Sequence, residues 1–311
     1  MKAILHIRIF LLLAAILPGA AGLYAQSPVY INSAQLLLQQ GNADSALVQI
    51  NKHFSQPGTA NDGFGYLIKG QIYKDLYKKH SPTEPLTFYL DSSFAALKLA
   101  QKYATDSSQQ VSIRRTLLFV ASKYYNSAAE RIDSANVDKA QKCYEKYRII
   151  TLHTDPKANL KQSDIEFYLA LETLYEDIYN RNKGGDKAEP YFKLAEELLN
   201  KIIVLDPNNY AAHYRLSLLY WNKGVDIILA MPLDASIPET ELKQEEALQW
   251  FLKGLPHAEQ AYQINPKRVE TLIVLSGIYY VMNDFEKSKF FDQLRQDLER
   301  ELQQKPQGGG K

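Results

Sequence analysis

From Pro28 onward, apolar residues recur at helical spacing along nearly the whole chain. Ala188, Tyr191, Phe192, Ala195, Leu198, Leu199 and Ile202 follow the i, i+3, i+4, i+7 pattern of an amphipathic helix without a break. Val269, Leu272, Ile273, Ser276 and Tyr280 repeat it with one small polar member. No stretch alternates apolar and polar side chains between turn signals, as a half-buried strand does. The pattern predicts an all-α fold. Gly41-Asn42, Pro57-Gly58, Ser81-Pro82, Gly184-Gly185 and the segment Met231–Pro238 separate the helical runs, as do Asp155-Pro156, Asp206-Pro207 and Asn265-Pro266. Proline cannot continue the helix before it, and its fixed φ suits the first turn of the next. Between these marks lie about twelve helices, expected as six antiparallel pairs.

Aligned on its prolines, the segment around Asp206-Pro207 matches that around Asn265-Pro266 with a period of 59 residues. Ala188, Phe192 and Ala195 fall on Ala247, Phe251 and Gly254, and Leu216-Ser217 with Tyr220 falls on Leu275-Ser276 with Tyr279. Small residues let two helices approach, and an aromatic one turn later fills the gap.

These residues resemble the tetratricopeptide repeat. The last hairpin carries Leu272, Leu275, Ser276, Tyr279, Asn283, Phe285 and Ser288 at that family's spacings, but has Asp292 and Arg295 where Phe and Ala are expected. The hairpin from Tyr210 carries Leu216, Ser217, Tyr220 and Gly224; Gly41 and Ala46 fit at the front, then Tyr66, Gly70 and Tyr73. The resemblance covers most of residues 28–303 and implies an α-α superhelix, or solenoid, of stacked pairs. It departs from the family in one way. Ala188 to Pro207 and Ala247 to Pro266 each span 19 residues, seven more than the family has, about two extra helical turns. The second helix of each pair is therefore expected to be long, with 231–238 and 79–86 as loop insertions.

The resemblance also implies a binding groove formed by the first helices of the pairs. Its positions fall on Tyr214, Leu218, Trp221 and Asn222, with Arg215 beside them and Tyr280 as a counterpart farther on, and on Gln71, Lys74 and Asp75 in the second unit. Arg215 and Trp221 are expected to face an extended segment or a helix of the partner. A Lys/Asn clamp for a C-terminal carboxylate is not recognisable.

Before the helices, Lys2 and Arg8 precede an apolar run, Ile9 to Leu17, broken by Pro18-Gly19 and followed by Ala20, Ala21 and Ala25. This is the form of a secretory signal peptide, residues 1–25, cleaved after Ala21 or Ala25. The run is short for a membrane span of about 20 residues. The expected layout is this address, a helical repeat domain over 26–304 and a flexible tail over 305–311, with no integral membrane segment after cleavage. Periplasmic or secreted placement in a Gram-negative envelope follows. The 36 basic and 35 acidic side chains nearly cancel, which argues against a broad nucleic-acid footprint. With Cys143 as the one cysteine, no intrachain disulfide or Cys-based zinc site is possible, and that thiol reads as a buried small hydrophobe.

Chemistry is sparse. HExxH, GxSxG, GxxxxGK[ST] and GxGxxG are all absent, so no catalytic residue, metal or cofactor is assigned. His53, His80, His153, His213 and His257 never fall two to five residues apart and read as surface or helix-end histidines. Glu196-Glu197 and Glu245-Glu246 read as solvated faces. Glu172 and Glu176 share one helix face near Asp177 and read as a solvent-facing stripe, with an acidic patch or cation site as the alternative. Of the 21 tyrosines most are expected to pack, Tyr124, Tyr220 and Tyr279 inward as the first members of aromatic pairs. The function expected is a non-catalytic scaffold that binds a protein or peptide partner in the cell envelope. Alternatives are a glycan-binding component of an outer-membrane uptake system, a structural subunit of an envelope complex, or an enzyme built on α-hairpins.

Overall fold

The computed structural model describes residues 20–80, 87–183 and 188–304, the side chains of 20–27 and 87 excepted. Among the described residues there are twelve α-helices and no strand. The expected signal peptide, Ser81-Pro82, Gly184-Gly185 and the tail over 305–311 lie wholly or largely outside them. The chain divides into two compact units, one of residues 1–127 and 143–158, the other of 128–142 and 159–311.

The first unit holds α1 (Ala20–Gln39), α2 (Ala43–Phe54), α3 (Gly63–His80), α4 (Thr87–Tyr103), α5 (Ser107–Ala129) to Ser127, and α6 (Val137–Thr154) from Cys143. Helix α1 ends at Gly41, whose φ of 76° is open to glycine without strain. Gly41 N donates to Leu38 O and Asn42 N to Leu37 O, the two bonds that close a left-handed helix end. Asn42 then caps α2 by accepting from Ser45 N. Ile31, Ala34, Ala46, Ile50, Ile68 and Ile72 interlock in one core. Helices α3 and α4 close on Gly70, where a Cβ would stand 2.7 Å from the Leu97 side chain. Farther on, Tyr124 is buried in α5, and Tyr125 meets Tyr147 of α6 with ring centres 5.0 Å apart. Cys143 is buried, as expected.

The second unit holds α7 (Lys161–Arg181), α8 (Glu189–Leu205), α9 (Tyr210–Leu229), α10 (Ile237–Ile264), α11 (Val269–Val281) and α12 (Phe285–Gln304). The period of 59 is visible in its backbone. Helices α8 and α10 end at Leu205 and Ile264, and Asp206 and Asn265 follow in nearly one conformation, φ −145° and ψ 87° against −142° and 90°. Helices α9 and α11 start in the same register. Pro207 and Pro266 lie in these joints, just before the helices that follow; Asn209 caps α9 by accepting from Ala212 N at 3.0 Å. Ala188, Ala195, Phe192 and their counterparts Ala247, Gly254 and Phe251 are all buried. The fold is thus all-α and tetratricopeptide-like, built of antiparallel helix pairs.

Extra length is not confined to second helices. Helix α7 has 21 residues against 17 for its partner α8, whereas α10 has 28 against 20 for α9. The two repeats part company at one position. Asn283 adopts φ 61° and stops α11, with Asp284 N donating to Tyr279 O at 2.9 Å and Asn283 N to Tyr280 O at 3.0 Å. Its counterpart in the 59-residue register, Gly224, stays helical, and α9 runs on to Leu229. Gly224 is held there by packing, since a Cβ would stand 2.5 Å from the Phe251 ring of α10.

Replacing Gly224 by Ala removes a helix-weakening glycine, a gain of roughly 1 kcal/mol, but drives a methyl into that ring. That clash costs about 1–3 kcal/mol, so we expect a net loss of up to about 2 kcal/mol, measured by urea unfolding; an unchanged or raised midpoint would show that Phe251 has room to move.

Candidate binding surface

Helices α9 and α11 lie side by side and run in the same direction. Tyr210 near the start of α9 shares a 2.8 Å hydrogen bond with Thr271, and Trp221 farther along lies over Gly277, where a Cβ would stand 2.7 Å from its indole. The expected groove residues of the second unit sit on these two helices. Tyr214 is half-buried and stacks parallel to Tyr210 at 5.9 Å. Leu218 and Trp221 are half-buried against the core, Trp221 packing on Phe251 with ring centres 4.8 Å apart. Asn222 is partly exposed and Tyr280 stands 62 % exposed, edge-on to Phe285.

Trp221 and Tyr280 also line an open cavity of ≈ 760 Å³ with Val225, Ile228, Leu229 and Phe251. In the first unit, Gln71 and Lys74 line a smaller one of ≈ 280 Å³ with Lys78, Arg115 and Phe119; Asp75 pairs with Lys74 and Lys78 at 3.5 and 3.3 Å. A third, ≈ 340 Å³, is rimmed by the ion pairs Lys183–Asp226 (2.9 Å) and Lys223–Glu189 (2.7 Å).

Arg215 is committed elsewhere. Its Nη1 donates to Glu172 Oε2 at 2.6 Å and to Thr173 Oγ1 at 2.7 Å. Glu172 is 1 % exposed, so the solvent-facing stripe expected for Glu172 and Glu176 is not what forms: α9 packs over that face of α7. Burial pushes the Glu172 carboxyl up to about 7 against the pull of Arg215, with Glu176 adding to the rise, and burial likewise raises Glu176. The second Glu172 oxygen, Oε1, is buried without a hydrogen-bond partner. Arg215 is therefore a strut between helices before it is a reader of any ligand.

His53, His80 and His153 lie in the last turns of α2, α3 and α6, helix-end positions as expected, but His53 and His213 are buried rather than exposed. His53, at the end of α2, is buried with Nε2 2.7 Å from Asp62 Oδ2. His213 is buried, its Nδ1 3.2 Å from Nδ1 of His257 and its Nε2 3.0 Å from Pro207 O. Burial and the neighbouring ring hold His257 below the ordinary histidine value. Among the described residues no three His, Cys, Asp or Glu side chains converge as metal ligands. Glu196 is half-buried rather than solvated, since it accepts from the Tyr220 hydroxyl at 2.6 Å; Tyr279 donates likewise to Glu259 at 2.5 Å. Burial and these carboxylates raise both phenols. The inward placement of Tyr124, Tyr220 and Tyr279 is as expected.

No protein-family model and no curated protein matches this chain. Solved structures similar to it include a crystal structure of MamA protein, with 15 % identity over 78 % of this chain and 98 % of that one, TM-score 0.33. Another is the S. pombe nuclear import adaptor Nro1, with 11 % identity over 91 % and 94 %, TM-score 0.33. Scores of that size do not establish a shared arrangement of helices, and the fold assignment rests on this chain's own packing. No helix among the described residues is long and apolar enough to cross a membrane.

The buried carboxyl makes stability pH-dependent with a defined sign. Glu172 titrates near 7 in the folded protein and at the ordinary 4.5 when unfolded, so between those values the folded state holds more protons. Stability then falls as pH rises across the window, by on the order of 3 kcal/mol, and levels off above it. In Glu172→Gln this fall should flatten, leaving the variant more stable than the parent at pH 8 by urea unfolding; an unchanged pH profile would place the titration elsewhere.

Proposed function

We propose that this chain is a non-catalytic, tetratricopeptide-like scaffold, exported to the periplasm or beyond, that holds a protein or peptide partner against its α9–α11 surface. The observation that carries the reading is the open apolar cavity lined by Trp221 and Tyr280, two of the positions the family resemblance assigns to a groove. An exposed apolar hollow of this size on a helical surface is a feature that binding sites share and that solvation alone disfavours. Tyrosine at its edge offers an apolar ring with a polar tip, the type of residue that dominates interface energetics. The buried titratable groups are spent on helix–helix ties, as Glu172–Arg215 and Tyr220–Glu196 illustrate, which favours a recognition role over bond chemistry. Export rests on the signal-like residues 1–25, and the glycan-binding alternative shares the same exposed ring.

The test is photo-crosslinking in intact cells from position 280, followed by mass spectrometry, with position 204 on the far-exposed part of α8 as control. The expected result is a protein adduct specific to position 280, weakened about tenfold by Tyr280→Ala in a pull-down with the melting temperature unchanged. Equal capture from both positions, or a glycan adduct, would replace this reading; the mature N-terminus should be Gly22 or Gln26.

A further inference from the structure

The cavity of ≈ 760 Å³ has a structural origin that also describes its occupant. In the 59-residue register Val281, the last residue of α11, corresponds to Asn222 of α9. Helix α9 continues to Leu229, about two turns or roughly 10 Å farther. Helix α10 accompanies it, beginning at Ile237 under a capping box in which Ser236 and Glu239 bond to each other. The α9–α10 hairpin therefore projects past the end of α11 as a ledge. Along the part of α9 beyond α11 run Val225 and Ile228, continuing the line of Trp221 at helical spacing, with Leu229 beside them 77 % exposed. Such a row is a packing ridge of the kind helices present to one another, and here the place of the neighbouring helix is empty.

The polar edge of the ledge is acidic. Glu241 and Glu245 are the charged residues that line the cavity, and none of the described lining residues is basic. Glu245 accepts from the Gln249 amide at 2.9 Å, and Glu241 has no hydrogen bond or ion pair among the described residues. The lysines close by in sequence pair with other carboxylates, Lys243 with Glu246 at 2.7 Å and Lys287 with Asp284 at 3.2 Å. Two uncompensated carboxylates beside an apolar trough call for a cation next to an apolar face.

We propose that the ledge takes a short amphipathic helix of a partner protein, which lies where two further turns of α11 would lie. Its apolar side chains, at i, i+3 or i+4 and i+7, fill the trough against Val225, Ile228 and Tyr280, and its flanking Lys or Arg residues meet Glu241 and Glu245. This rests on the scaffold reading above and adds the chemistry of the partner.

The test uses fluorescein-labelled 18-residue peptides titrated into the purified chain and followed by anisotropy. One carries a Leu face flanked by Lys, the second has Glu in place of Lys, and the third is the first in scrambled order. The Lys-flanked peptide should bind saturably, at least tenfold tighter than the other two, and weaken with added salt. The pair Glu241→Lys and Glu245→Lys should reverse the preference between Lys and Glu peptides. Leu229→Glu should cost at least tenfold, whereas Glu130→Lys with Glu197→Lys, on exposed positions elsewhere, should cost less than twofold. Absence of binding, equal binding of the scrambled peptide, or indifference to the ledge variants overturns the proposal. A dimer in sedimentation that Leu229→Glu dissolves also overturns it, and assigns the ledge to a second copy. If the peptides fail while position 280 still captures a protein in cells, the ledge chemistry falls and the scaffold stands. Peptide binding as expected with no adduct at 280 has the opposite meaning: the ledge is as described and the proposed cellular partner surface is not.

Discussion

Several helix pairs in this protein meet where one helix lacks a side chain. Gly224 accepts the Phe251 ring, Gly277 the Trp221 indole and Gly70 the Leu97 side chain, and in each case a single added carbon would stand well inside contact distance. Gly254 plays the same part against the backbone of Ser217, 3.2 Å from where its Cβ would be. Close approach lets a large ring reach across the seam and touch many atoms at once, and that summed dispersion, with the apolar area removed from water, holds one helix pair on the next. The tyrosine surplus belongs to this arrangement. Tyr220 and Tyr279 bring a ring to the seam and carry the hydroxyl through to Glu196 and Glu259, so the polar tip is satisfied where the ring is buried.

A seam made this way is tolerant of what happens beyond it. The joints at Asp206-Pro207 and Asn265-Pro266 have nearly the same backbone geometry, and the helices on either side begin and end in register. Past the seam, one substitution of role separates the repeats: Asn283 takes up the left-handed conformation and ends α11, whereas Gly224 stays helical under the Phe251 ring. Where α11 stops at left-handed Asn283, α9 runs on to Leu229, and that extension leaves apolar surface without a neighbour.

Much of the architecture was legible in the chain itself. Apolar periodicity located the helices, proline and glycine located many of the joints, and the small-then-aromatic pairs identified which tyrosine of each doublet turns inward. The electrostatics were not legible. Glu172 and Glu176 look like a solvated stripe because within α7 nothing marks that face as covered; α9, more than 40 residues on, covers it and supplies Arg215. His213 and His257 meet for the same reason, across 44 residues and between two helices. Residue spacing along one helix fixes which side chains share a face, but only the neighbouring helix decides whether that face sees water. The lengthening also shows in the spacing, but the count from Ala188 to Pro207 reports on the second helix alone and not on how far α7 extends.

That distinction bears on where recognition is possible. A groove position borrowed from a repeat family is a statement about a face, and in this chain the face around Arg215 is occupied by its own struts. Removing Arg215 would leave Glu172 Oε2 without its donor in a site where Oε1 already has none, so any loss of binding there would carry a loss of packing with it. Trp221 is bound in the same way to Gly277 and Phe251. Surface not taken up by such struts begins at Tyr280, Leu229 and the two acidic residues of α10, which line the open cavity. An extended helix pair beside a truncated one therefore does what a loop insertion does in other folds: it leaves apolar surface exposed at the margin while the seam behind it stays closed.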